Sequence, residues 1–102
     1  MLDLDPNAEV YCFDIDGTIC TEMAGDCENA QPMKSRISIV NQLYDRGATI
    51  YLMTARGMLG AENNQQVADE NMRELTETQL KEWGVSYHQL FFGKPRAMHY
   101  VD

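Results

Sequence analysis

Phe13-Asp14-Ile15-Asp16-Gly17-Thr18 is the stretch in which this sequence changes most abruptly from apolar to acidic and polar residues. An apolar run that begins with Val10-Tyr11-Cys12 ends here at two carboxylates and a glycine. Such a run, without alternating polar residues, is typical of a parallel strand covered on both faces. In open α/β sheets, ligands bind beyond the carboxyl ends of the strands, where Asp14 is expected to lie.

The two aspartates of this stretch are two residues apart, so their charges repel at a strand end unless a cation lies between them. A hard cation such as Mg²⁺ takes oxygen ligands and leaves room for a substrate phosphate. An isolated Asp-x-Asp more often only closes a turn, in which Gly17 lets the chain reverse and Thr18 forms a local hydrogen bond. Asp14 and Asp16 are therefore candidate site residues, with a plain Asx-turn as the alternative.

The composition limits the classes of partner. The 102 residues suffice for one domain, 1–102, with a formal net charge of −8 and a pI near 4.5. An acidic surface disfavours a nucleic-acid backbone as the main partner, because that affinity comes from clustered Lys and Arg. It remains compatible with a small phosphate ester, because a bound cation reverses the local field.

The sequence lacks the patterns of secreted and membrane proteins. Residues 1–9 are acidic, unlike a signal peptide, and the longest apolar stretch, 48–55, is too short to cross a bilayer. Cys12, Cys20 and Cys27 are odd in number and form no Cys-x-x-Cys pair, which favours reduced thiols over disulfides or zinc. We therefore expect a cytoplasmic protein with no membrane partner.

Hydrophobic periodicity predicts strands and helices in alternation. After Pro32, apolar residues recur at helical spacing up to Gly47, which suits a helix C-cap. Thr76-Glu77-Thr78-Gln79 looks like a capping box and predicts a separate helix that stops at Gly84. The predicted strands cover 9–14, 48–54, 85–92 and 100 onward, and the predicted helices cover 32–46, 61–75, 76–83 and 96–99. This order predicts an α/β fold, a three-layer Rossmann-like arrangement with helices on both faces of a parallel sheet.

Four polar residues are expected to meet at one edge of this sheet. Asp14 and Thr54 end apolar strands, Asp102 follows the fourth, and Lys94 lies in a glycine-proline loop after the third. All four should converge, because the carboxyl ends of parallel strands share one edge. Singly, each is explained as a strand end, a surface lysine or an exposed terminus; together and in this order, they favour a site.

This order of residues resembles the motifs of the haloacid dehalogenase-like superfamily of aspartate-nucleophile phosphohydrolases. That superfamily has an Asp-x-Asp strand end, a Ser or Thr after the second strand, a downstream Lys, and an acidic motif after the fourth strand. The resemblance spans almost the whole chain. Its finer detail is similar to small capless sugar-phosphate or capsular polysaccharide phosphatases, at Leu43-Tyr44-Asp45, Met53-Thr54-Ala55-Arg56-Gly57, Gln79-Leu80, Trp83-Gly84-Val85 and Phe92-Gly93-Lys94-Pro95.

The resemblance implies a role for each matching carboxylate. Asp14 would be the nucleophile, which needs no activating base because it is ionised at neutral pH, and it would form an aspartyl-phosphate that water hydrolyses. Asp16 would protonate the leaving alcohol and then deprotonate that water. Mg²⁺ would be held by Asp14, the backbone carbonyl of Asp16 and Asp102, and would neutralise the phosphate.

The resemblance also implies which groups hold the phosphate. Thr54 and Lys94 would bind the transferring oxygens, where charge develops in the transition state. Arg56 is placed to contact the substrate, with a surface or helix-start position as an equal alternative.

Two comparisons with the family concern the size of the domain. Only 19–31 is available for a cap after the first motif, so we expect no large cap and a site that is open to a bulky substrate or covered by another subunit of a homo-oligomer. The family also continues beyond the position of Asp102. This suggests a single core domain that lacks its C-terminal strand or helix.

The leading hypothesis is a magnesium-dependent phosphomonoester hydrolase acting on a sugar phosphate or related small molecule. A nucleotide phosphatase or a polynucleotide 3′-phosphatase is the alternative within the same chemistry. A receiver-like module or a non-catalytic metal- or phosphate-binding module is the alternative from another class. A receiver takes its phosphoryl acceptor from the third strand, and no Asp ends the run Val85 to Phe92.

Overall fold

A four-stranded parallel sheet organises the domain. The computed structural model describes residues 10–22, 26–58, 64–93 and 99–101. The strands are β1 (Val10–Asp14), β2 (Thr49–Thr54), β3 (Gln89–Phe92) and β4 (His99–Val101), and the helices are α1 (Lys34–Asp45) and α2 (Gln65–Glu82). The strand order is β3-β2-β1-β4, and each neighbouring pair is parallel. The predicted α/β fold class with a parallel sheet is confirmed.

The core lies where side chains of the sheet meet the two helices. In the register of the sheet, Tyr11 lies beside Ile50 and Phe13 beside Leu52, and all four are fully buried. Apolar side chains of both helices complete the same cluster, namely Ile37, Val40 and Leu43 from α1 and Ala68 and Leu80 from α2. Since burial of a large apolar side chain contributes about 1.5–3 kcal/mol, this cluster stabilises the packing of β1 and β2 against the two helices.

Helix α2 differs from the sequence prediction. The predicted break at Thr76 does not occur, and one helix runs from Gln65 to Glu82. Its N-cap is Asn64, whose Oδ1 accepts from the backbone N–H groups of Gln66 and Val67 at 3.0 and 3.2 Å. Thr76 and Gln79 do not cap a helix here, because both side chains are buried against a partner from another element.

The segment between β1 and α1 is short, as expected. Among residues 19–22 and 26–33 it contains one 3-10 turn, Cys27–Asn29, and its two arms pair through a Cys20–Pro32 bridge. This pairing places Pro32 before α1 rather than in its first turn. The part of the chain that the structure describes contains no separate cap domain, and no helix in it is long and apolar enough to cross a membrane.

Candidate functional site

The ends of β1, β2 and β3 meet at one edge of the sheet. The amide of Ile15, just beyond β1, donates to the carbonyl of Met53 in β2 at 3.0 Å. The amide of Gly93, just beyond β3, donates to the carbonyl of Thr54 at 3.0 Å. From β1 the chain adds β2 and then β3 on one side of the sheet, whereas β4 pairs with the opposite side of β1. This reversal of strand order is where open α/β sheets form a ligand crevice, and Asp14 ends the strand beside it.

A tight turn fixes the segment that follows Asp14. Gly17 has a φ of +83°, a left-handed conformation that glycine adopts without strain. Arg36 of α1 donates from Nη1 to the carbonyls of Gly17 and Thr18, both at 3.2 Å. The turn is therefore tied to α1, and the side chain of Asp16 is directed toward β2.

The carboxylate of Asp16 is held by two residues of the second motif, which is the segment 53–57 at the end of β2 and just beyond it. Thr54 donates from Oγ1 to Oδ2 at 3.1 Å. Arg56 donates from Nε to both carboxylate oxygens at 3.1 Å and from Nη2 to Oδ1 at 3.0 Å. The side chain of Asp16 is 22% exposed, whereas that of Arg56 is 1% exposed. One side of the carboxylate therefore meets solvent and the other meets a buried cation.

Buried polar groups surround the guanidinium of Arg56. Its Nη1 donates to Thr76 Oγ1 at 3.3 Å and to Gln79 Oε1, both on α2, and Nη2 donates to Cys20 Sγ at 3.8 Å. Burial alone would lower the pKa of Arg56, but the hydrogen bonds and charge of Asp16 outweigh it, so the pKa is raised and the side chain stays cationic. Neither a surface position nor a helix start describes this residue.

The thiol of Cys20 is a neutral member of the cluster. Burial and the nearby charge of Asp16 raise its pKa to about 12. It donates weakly to the carbonyl of Ile15 at 3.6 Å and to Asp16 Oδ1 at 3.7 Å. A thiol that stays protonated at neutral pH is a poor nucleophile.

The structure brings together part of the predicted site. Asp16, Thr54 and Arg56 are in direct contact, and Asp14 is half-buried at the end of the adjoining strand. Lys94 and Asp102 lie outside the described residues.

The oxygen atoms at this edge of the sheet decide whether the described residues could bind a metal ion. The carboxylate of Asp14 and the backbone oxygen of Asp16 belong to the oxygen ligands that Mg²⁺ prefers. Residues 10–22, 26–58, 64–93 and 99–101 contain no group of three His, Cys, Asp or Glu side chains placed to hold an ion. The described donors are thus chemically suited to Mg²⁺ but form only part of a ligand set.

Sequence reasoning missed Thr76 and Gln79. Both side chains lie on the inward side of α2 with Leu80, and their exposures are 0% and 6%. Polar residues on an otherwise apolar helix face could have indicated a buried partner. The local capping-box pattern was the stronger signal and led to a different prediction.

Comparison with known proteins identifies relatives by structure. No protein-family model matches the chain, and no curated protein matches its sequence. A Vibrio cholerae protein of known crystal structure is 25% identical, with a TM-score of 0.77 over 86% of this chain and 72% of its own.

Two further structures carry informative names. The D,D-heptose 1,7-bisphosphate phosphatase of B. bronchiseptica, in complex with magnesium and phosphate, is 12% identical with a TM-score of 0.57, over 83% of this chain and 49% of its own. A chain of the Pnkp1/Rnl/Hen1 complex is 17% identical with a TM-score of 0.62, over 92% of this chain and 31% of its own. This chain thus spans about half and about a third of those two proteins. Together with the parallel sheet and its motif order, these likenesses show that the chain has the haloacid dehalogenase-like fold.

Proposed function

We propose that this protein is a magnesium-dependent phosphomonoester hydrolase that uses Asp14 as its nucleophile. The observation that carries the proposal is the 3.1 Å hydrogen bond from Thr54 to Asp16, directly beyond the strand that Asp14 ends. It joins the first two motifs at the edge where α/β proteins bind ligands. The magnesium and phosphate bound by the heptose bisphosphate phosphatase of similar fold support the same chemistry.

The first half of the proposed reaction transfers the phosphoryl group to the protein. A carboxylate oxygen of Asp14 attacks phosphorus, and the bond between phosphorus and the ester oxygen breaks. In the resting arrangement the carboxylate of Asp16 accepts hydrogen bonds from Thr54 and Arg56. For this step Asp16 would carry a proton, which it gives to the ester oxygen, so the alcohol leaves neutral. The product is an aspartyl-phosphate on Asp14.

The second half restores the protein. The carboxylate of Asp16 accepts a proton from water, and the oxygen of that water attacks phosphorus. The bond between phosphorus and the carboxylate oxygen of Asp14 breaks at the same time. Inorganic phosphate leaves, and Asp14 is again ionised. The second half leaves Asp16 protonated, as the first half requires, so the cycle balances without proton exchange with solvent between the two halves.

Thr54 and Lys94 are proposed to hold the phosphate oxygens during both steps. The hydroxyl of Thr54 can donate one hydrogen bond. In the resting arrangement Asp16 accepts it, and when substrate binds a phosphate oxygen would accept it instead. Lys94 would add a positive charge where negative charge develops.

Asp14, the backbone carbonyl of Asp16 and Asp102 are the proposed Mg²⁺ ligands. When bound, the ion would neutralise the phosphate and so allow the carboxylate to approach it.

A sugar phosphate or related small phosphate ester is the proposed substrate. The net charge of −8 disfavours a polynucleotide, because such affinity depends on basic clusters. The described residues contain no separate cap, so we propose a site that is open to a bulky ester or covered by a second copy of the chain.

Phosphate release tests the proposal. The protein is incubated with 4-nitrophenyl phosphate, sugar phosphates and 3′-nucleotides, with Mg²⁺ and with EDTA. We expect steady turnover that EDTA abolishes, and a loss of at least about 10³-fold in Asp14→Asn, which removes the nucleophile. Full activity in Asp14→Asn would overturn the mechanism. Stoichiometric labelling without turnover would instead indicate a receiver-like module, and the absence of both would indicate a non-catalytic one.

A further inference from the structure

We infer that Thr76 and Gln79 of α2 are positioning residues for leaving-group protonation, acting through Arg56 on Asp16. This inference rests on the proposed phosphatase reaction and concerns which residues outside the motifs control its acid–base group.

The geometry of Arg56 supports this division of roles. Its guanidinium presents donors in a planar fork, and their directions are fixed relative to one another. The Nε and Nη2 groups contact Asp16, while Nη1 contacts Thr76 and Gln79. Because the fork is rigid, fixing Nη1 on α2 fixes the orientation of the edge that meets the carboxylate.

Thr76 and Gln79 are themselves held in place. Their exposures are 0% and 6%. Gln79 also donates from Nε2 to the carbonyl of Cys27 at 2.7 Å, so its amide links Arg56 to the segment between β1 and α1. With Oε1 and Nε2 both engaged, the amide has little freedom to rotate.

Burial makes these contacts matter for Asp16. A buried cation keeps its partners because a buried donor left without an acceptor loses its hydrogen bond to water and gains none in return. If Thr76 and Gln79 no longer accept from Nη1, the guanidinium has to turn toward other acceptors, and the direction of the carboxylate changes with it. A carboxyl group displaced from the leaving oxygen protonates it less efficiently.

The experiment compares two esters that differ mainly in their need for a proton. Phenyl phosphate releases a weakly acidic phenol, whereas 4-nitrophenyl phosphate releases a much stronger acid that departs without help. The ratio of their kcat/KM values reports protonation during formation of the aspartyl-phosphate, the step in which the phenol leaves. The ratio is measured with Mg²⁺ for wild type, the double variant Thr76→Val with Gln79→Met, and each single variant.

We expect the double variant to lose at least about tenfold in kcat/KM for phenyl phosphate and less than about threefold for 4-nitrophenyl phosphate. Thr76→Ser, which keeps the hydroxyl, should retain the wild-type ratio. Thr78→Val and Gln66→Met make the same chemical changes at exposed positions of α2 and should leave both values unchanged. In an Asp16→Asn background, the double variant should no longer change the ratio, because the group on which it acts is absent.

Each outcome separates the inference from the proposed function. Equal losses for both esters, an unchanged ratio, or an undiminished effect in the Asp16→Asn background would overturn the positioning role while leaving the phosphatase intact. Absence of phosphate release from both esters by wild type would overturn the phosphatase and, with it, this inference. If thermal unfolding shows that the double variant does not fold, Gln79→Met and Thr76→Val are judged singly by the same ratio.

Discussion

The ion pair between Arg56 and Asp16 has one buried member and one that meets solvent, with side-chain exposures of 1% and 22%. Removing the cation leaves a carboxylate without its main partner and creates a gap beside α2. We expect Arg56→Met to lower the free energy of unfolding by about 2–3 kcal/mol, somewhat less than is typical for a fully buried pair. Urea denaturation monitored by the fluorescence of the single tryptophan measures this change.

Asp69→Asn is the control, because it removes an exposed ion pair and leaves the contacts of Arg73 with the carbonyl of Leu90 and the ring of Phe92 in place. Arg73 pairs with Asp69 at 2.6 Å, but both side chains are 36% exposed. Exposed pairs contribute about 0–1 kcal/mol, so this variant should be destabilised by no more than about 1 kcal/mol. Equal losses at the two positions would contradict the importance of burial at Arg56.

Ionisation of Cys20 should lower the free energy of unfolding at alkaline pH. Its pKa is raised by burial from the ordinary value of 9.0 to about 12 in the folded protein. Above about pH 9 the unfolded chain releases this proton while the folded chain keeps it, so stability is full below that pH and falls as pH rises toward 12. The slope from one such group is at most about 1.4 kcal/mol per pH unit.

Unfolding free energies measured between about pH 8 and 10.5 test this prediction. The decline should be shallower in Cys20→Ala than in wild type, although Cys20→Ala starts from lower stability because it leaves a small cavity. Parallel curves for the two proteins would show that ionisation of this thiol does not contribute.

At the level of elements, close packing between the β2–α2 loop and α2 constrains the second motif. Gly57 has a φ of +75°, and an added Cβ would lie 2.7 Å from Met72 Cγ. Gly47 has a φ of +96°, but an added Cβ would meet nothing within 4 Å. Both Gly→Ala changes cost about 1–2 kcal/mol in backbone strain. We expect Gly57→Ala to cost a further 1–3 kcal/mol, roughly, for overpacking.

The difference between these two alanine variants isolates the packing contribution, because the backbone strain is similar in both. Thermal unfolding gives the stability difference, and phosphate release shows whether the displaced loop also disturbs Thr54 and Arg56. Gly57→Ala should lose activity, whereas Gly47→Ala, at the far end of α1, should keep it. Equal stability of the two variants would show that Met72 moves aside without cost.

Helix α2 shows where sequence reasoning succeeds and where it fails. The end of the helix at Gly84 was predictable, because a glycine with positive φ is a local signal. Its continuity through Thr76 was not, because the partner of Thr76 and Gln79 is Arg56, which lies 20 and 23 residues away along the chain. A capping pattern describes local hydrogen bonds only, and here a long-range contact with a buried cation uses the same side chains.

For the molecule as a whole, the meeting of Asp16 and Thr54 was the most predictable part of the site. Parallel strands bring their carboxyl ends to one edge whatever their loops contain, so the order of apolar runs was sufficient. The bonding of Arg56 could not be predicted in this way, since it depends on how α2 packs against the sheet. Topology thus predicts which motifs meet, and packing determines how their side chains are oriented.

The protein carries a formal net charge of −8, and the proposed metal ligands Asp14 and Asp102 contribute to it. An ion that binds the folded chain but not the unfolded chain stabilises it by mass action, by about 1.4 kcal/mol when its concentration is ten times its dissociation constant. For a domain of this size the melting temperature should rise by roughly 5–10 °C.

The measurement is thermal unfolding of the whole chain during a Mg²⁺ titration, without substrate. Asp14→Asn should abolish the saturable part of the rise, and NaCl at matched ionic strength should give only the small gradual increase that comes from screening of like charges. A saturable rise of equal size in Asp14→Asn would show that Mg²⁺ binds elsewhere on the acidic surface, and that the carboxylate at the end of β1 is not its ligand.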